Sequence, residues 1–87
     1  MEDKLRFLAD YLKDNFSYKY TILETSIDNL VTKISLIDID VSIEYDYEEL
    51  KSFTVINVAN PTSVFDIKFF SATQVIDYII TRKYEGK

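Results

Sequence analysis

The segment Ile37-Asp38-Ile39-Asp40-Val41-Ser42-Ile43-Glu44-Tyr45-Asp46-Tyr47 alternates without exception. Every odd position is aliphatic or aromatic, and every even position is acidic or serine. Successive side chains of a strand point to opposite faces, so a period of two over eleven residues predicts a half-buried β-strand. Its inner face is Ile37, Ile39, Val41, Ile43, Tyr45 and Tyr47, and its outer face carries Asp38, Asp40, Glu44 and Asp46. Read as one extended run, this segment is the spine on which the rest of the chain assembles.

Toward the N-terminus, Leu30, Ile34 and Leu36 place their apolar side chains at even positions, so the parity changes between Leu36 and Ile37. One extra residue in a strand, a β-bulge, produces that change and bends the strand. The competing reading is a tight turn near Ile37–Asp40. Ile37 and Ile39 are poor turn formers and no glycine is present there, so the bulge is preferred. Further back, Ser26–Asn29 has turn chemistry and Tyr18–Thr25 is rich in β-formers. Leu5, Leu8, Leu12 and Phe16 recur at helical spacing with Phe7 and Tyr11 beside them, predicting a helix from Glu2 to about Asn15 with acids in its first turn.

Toward the C-terminus, Glu48–Lys51 closes a hairpin and Ser52–Ala59 reads as a strand. Asn60-Pro61-Thr62-Ser63 is the strongest turn signal in the chain, and Val64–Phe70 is the last strand. Ser71 and Gln74 have the spacing of a capping box, followed by the stripe Val75, Ile76, Ile79, Ile80 of a closing helix that Gly86 terminates. The expected fold is α+β in two layers: an antiparallel four-stranded β-meander with the N- and C-terminal helices packed on one face, α-β-β-β-β-α, in a single domain over residues 1–87.

Pairing Tyr47 with Ser52, and Ala59 with Val64, gives a register for the sheet. It turns Ile56, Val58, Phe65, Ile67 and Phe69 inward with Val41, Ile43 and Tyr45. It leaves Phe53, Val55 and Phe70 on the solvent face beside the acids. Exposed aromatics grouped in this way are expected to mark a partner or a second copy of the chain.

Composition narrows the chemistry. The 87 residues hold 10 Lys and Arg against 15 Asp and Glu, a net charge of -5. That argues against direct nucleic-acid or anionic-membrane binding and favours a basic protein as partner. With no histidine, no cysteine and one glycine, there is no imidazole base, no thiolate and no glycine-rich phosphate loop. Asp38, Asp40, Ser42, Glu44, Asp46 and Glu49 fall at the offsets of a calcium-binding loop, but Ile43 stands where that loop needs glycine for its sharp turn. A carboxylate pair is the one acid–base device the composition allows. Carboxylates two apart on a strand lie about 7 Å from each other, and no pocket is predicted around them. No catalytic residue, cofactor or metal is therefore expected. No apolar run approaches a membrane span, and an acidic N-terminus without cysteines suggests a cytoplasmic home.

Two functional expectations follow. In the first, the chain is a small acidic, non-enzymatic binding module. Its carboxylates Asp38, Asp40, Glu44 and Asp46 imitate a nucleic-acid backbone and occupy a Lys/Arg-lined site on a host protein. Phage and mobile-element inhibitors, anti-CRISPR and restriction-blocking proteins among them, work in this way, and the likeness here is one of size, charge and composition only. In the second, the chain is a homo-oligomeric structural or accessory subunit joined through Phe53, Val55 and Phe70.

Overall fold

A computed structural model of the chain describes residues 2–57 and 67–85. The elements run α1 (Lys4–Phe16), β1 (Tyr20–Thr25), β2 (Val31–Leu36), β3 (Val41–Tyr45), β4 (Phe53–Asn57), β5 (Ile67–Phe69) and α2 (Ala72–Glu85). The strands form one antiparallel sheet in chain order, β1-β2-β3-β4-β5. This is the α+β meander with terminal helices, built with five strands rather than four.

The added strand comes from the segment that decided the reading. Residues 37–40 form a turn, so the alternating run is divided among that turn, β3 and the loop that takes Asp46 and Tyr47, and no bulge joins it to β2. Leu36 pairs with Val41 across the turn. A turn without glycine is possible because Asp40 takes the left-handed conformation at φ 51°, which short polar side chains tolerate better than most. Ile37 is exposed as a result, while Ile39 folds back against the core.

The second correction concerns register. Tyr45 pairs with Phe53, Ile43 with Val55 and Val41 with Asn57, one residue away from the expected alignment. A slip of one residue exchanges the two faces of a strand, so Phe53 and Val55 are inside, and Ile56 lies opposite Ser42 on the outer face. Phe53 then pairs with Phe69, and Val55 with Ile67. The expected turn at Asn60–Ser63, the core roles of Val58 and Phe65, and Gly86 lie outside the described residues.

The corrected register builds clean inner rows. Ile22, Ile34, Ile43, Val55 and Ile67 stand opposite one another across all five strands. Tyr45, Phe53 and Phe69 form the next row, with the Tyr45 and Phe53 rings edge-on at 4.6 Å. Above them α1 buries Leu5, Leu8, Ala9 and Leu12 over β2 and β3, and α2 buries Val75 and Ile79 over β4 and β5. Each of these Leu, Val and Ile side chains, fully removed from water, stabilises the fold by about 1.5–3 kcal/mol.

The helix ends follow from local chemistry. Asp3 is the N-cap of α1, its carboxylate accepting from the Arg6 amide; no acid lies in the first turn proper. Ser17, left-handed at φ 61°, ends the helix. At α2, Ser71 Oγ accepts from the Gln74 amide, while the Gln74 side chain reaches the amide of Phe70, one residue further back than a capping box requires.

One border of the sheet is irregular. The β1–β2 pairing shifts register between Ile22 and Glu24 and again between Glu24 and Thr25. Neither helix lies over the outer part of β1, and Ile22 and Leu23 remain partly exposed there.

Candidate interaction surfaces

The four acids expected to form one strip have separate positions and tasks. Asp38 and Asp40 are exposed in the 37–40 turn. Asp38 accepts a hydrogen bond of 2.7 Å from the Lys19 amide, and Ile37 donates its own amide to the Lys19 carbonyl, so the turn is tied to the start of β1. Asp46 lies beyond the end of β3 and accepts from the amides of Glu48, Glu49 and Leu50 at 2.9, 3.1 and 3.1 Å. Those amides, Leu50 first, hold its carboxyl below the usual carboxylate range. They also organise the loop 46–52, in which Lys51 is left-handed at φ 49°.

Glu44 alone stays on the outer face of a strand. It belongs to a row that crosses the sheet as Glu24, Lys33, Glu44, Thr54 and Lys68. Lys33 Nζ lies 3.3 Å from Glu44 Oε1. A partly exposed pair of this kind contributes about 0–1 kcal/mol. The row alternates in sign, so it is a solvated, internally matched face rather than a strip of one charge.

Most other carboxylates lack that compensation. Asp14, Asp28, Asp40, Glu48 and Glu49 are exposed and form no ion pair among the described residues. Asp10, also exposed, accepts a 2.6 Å hydrogen bond from the Tyr20 hydroxyl, which pushes the Tyr20 pKa up. The acids are thus spread over the turns and the outer side of α1.

The proposed aromatic patch is dissolved in the same way. Phe53 and Val55 are 3% and 4% exposed and belong to the core, so they form no outer-face patch with Phe70. Phe70 is 70% exposed, as expected, but its neighbour is different. It lines a cleft with Phe7, itself 65% exposed, between the start of α1 and the β5–α2 junction. Tyr45, Phe53, Lys4 and Ala72 also line this cleft. Leaving a large apolar side chain in water forgoes roughly 1.5–3 kcal/mol. Phe7 was legible as lying beside, not within, the Leu5/Leu8/Leu12 stripe; its meeting with Phe70 depends on tertiary structure.

A polar knot nearby was not anticipated. The Tyr47 hydroxyl sits 2.9 Å from the Val31 carbonyl and 3.2 Å from Asp3 Oδ1, and accepts weakly from the Leu5 amide. Asp3 also accepts from the Val31 amide at 3.3 Å. The knot ties the first turn of α1 to the start of β2. Burial pushes the Tyr47 pKa up to about 12, with the Asp3 carboxylate acting in the same direction.

Among the described residues, no group of three His, Cys, Asp or Glu is placed to hold a metal ion, and no helix is long and apolar enough to cross a membrane. Comparisons with family models, curated proteins and solved structures find no match to this chain.

Proposed function

We propose that the chain is a small acidic, non-enzymatic protein-binding module that docks on a basic site of another protein. The supporting observation is the set of exposed carboxylates with no cationic partner among the described residues, Asp14, Asp28, Asp40, Glu48 and Glu49, on a chain of net charge -5. An excess of negative charge on turns and a helix surface steers a basic partner and speeds encounter. In its most specific form the partner is a nucleic-acid-binding host protein, such as a CRISPR or restriction component. The chain is then an inhibitor encoded by a phage or mobile element and active in the host cytoplasm. Size, charge and composition support that form.

The test is inhibition of nucleic-acid binding across a panel of CRISPR and restriction proteins. It compares the native chain with Asp14→Lys, Asp28→Lys, Glu48→Lys and Glu49→Lys combined; none of these four side chains holds a hydrogen bond among the described residues. The native chain is expected to inhibit at least one panel member, more weakly as salt rises. The variant is expected to lose at least tenfold in potency. Equal potency of the two at every salt concentration refutes the charge-based reading.

A further inference from the structure

The cleft holding Phe7 and Phe70 has no role in the fold: both rings stand mostly in water although the core lies beneath them. We propose that this cleft is the docking site for a partner segment carrying an apolar anchor residue flanked by lysine or arginine. The inference rests on the acidic binding module proposed above and locates its contact surface.

Three observations converge. The two rings come from opposite ends of the chain and line one cleft, over a floor of Tyr45 and Phe53 whose rings pack edge-on in the core. Phe7 is fixed on a helix whose opposite side is fully buried, and the Phe70 backbone is held by its amide bond to Gln74 Oε1 at 3.2 Å. Aromatic anchors already in place lose little freedom on binding and are the residues around which interface energy concentrates. The meander supplies the charge. It brings the 26–30 turn, the 46–52 loop, the start of α1 and Phe70 to one end of the sheet. Asp28, Glu48, Glu49 and Glu2 are all exposed at that end. Lys4 and Lys51 stand there too; the Lys4–Glu2 pair at 3.9 Å and the Arg6–Asp3 pair cancel in charge, leaving Asp28, Glu48 and Glu49 against Lys51, so the balance favours a cationic segment.

Three peptides of equal length serve as probes: one alternating Leu and Lys, one in which Ser replaces Leu, and one in which Glu replaces Lys. Binding is followed by calorimetry and by NMR shifts on the native chain, Phe7→Ser and Phe70→Ser. Both substitutions fall on exposed side chains, and unchanged thermal midpoints establish that the variants fold. The Leu/Lys peptide is expected to bind, with shifts centred on Tyr45, Phe53 and Phe70, and each serine variant to weaken it at least tenfold. If the Leu/Lys and Ser/Lys peptides bind alike, or the serine variants bind as the native chain does, the cleft is not the docking site. Salt-sensitive binding of the Ser/Lys peptide in that case leaves the acidic module standing. Equal or tighter binding of the Leu/Glu peptide overturns the choice of a cationic segment.

Discussion

The two faces of the sheet use the same five strands and arrive at opposite chemistries. The inner face joins Ile22, Ile34, Ile43, Val55 and Ile67 in an unbroken aliphatic row, while the outer face joins Glu24, Lys33, Glu44, Thr54 and Lys68. A substitution on one face therefore tests burial, and on the other it tests little more than charge. The difference also shows how much depends on a single residue of register, since sliding β4 by one position would place Thr54 in the core and Phe53 in water.

The largest effect is expected where that register is challenged. Phe53→Asp puts a carboxylate among Tyr45, Phe69 and Val55, combining lost burial with an unpaired charge. It should cost more than about 4 kcal/mol, a large share of the ~5–15 kcal/mol that holds a domain together. Thr54→Asp, one residue along, should stay within about 1 kcal/mol. Urea unfolding of the two variants decides the matter: a Phe53→Asp protein as stable as Thr54→Asp would reverse the assignment of faces.

A middle-sized effect belongs to the knot that joins α1 to the sheet. Tyr47→Phe removes the hydroxyl that meets Val31 and Asp3 and should cost about 1–2 kcal/mol. It should also change the alkaline limb of stability. The folded state keeps this phenol protonated up to about pH 12, against 10 for the ordinary side chain. Its contribution is full below pH 10 and is lost as pH rises from 10 through 12. Thermal midpoints of the native chain should therefore fall more steeply over that window than those of Tyr47→Phe. Parallel decline would show that the hydroxyl is not held by the fold.

The smallest effect lies on the outer face. Glu44→Gln breaks the pair with Lys33 and should cost no more than about 1 kcal/mol, fading as salt is added. A loss that persists in molar salt would mean that the row is held by packing rather than by charge.

The helices were legible because helical spacing is local: Leu5, Leu8 and Leu12 lie on the buried stripe of α1, and Val75 and Ile79 on that of α2. The inward direction of Val41, Ile43 and Tyr45 was legible too, because strict alternation leaves only two choices. The ends of that strand were not. Alternation continues through a turn whose residues happen to keep the pattern, and the parity change at Leu36–Ile37 fits a turn as well as a bulge. The clue was Asp38 and Asp40, whose short side chains supply both a backbone acceptor and a left-handed residue.

The β3–β4 register failed for a related reason. Asp46, read as one more outward carboxylate, gathers three amides and gives the loop a shape that displaces the pairing by one position. With that displacement the expected aromatic surface vanished into the core, and only Phe70 of its three members stayed outside. Sites made of residues far apart in sequence, such as Phe7 with Phe70 or Asp3 with Tyr47, leave no periodic trace.

The broken pairing along β1 has a consequence for life at high concentration. A sheet that ends in a straight strand invites a neighbour's strand to extend it, and repetition of that event yields fibres. Here two interruptions bracket Glu24 and crook the border strand, so an incoming chain finds few consecutive backbone groups in line. Deleting Leu23 would remove the first of those interruptions and lengthen the run of regularly paired backbone along the border, a change expected to raise the tendency to aggregate.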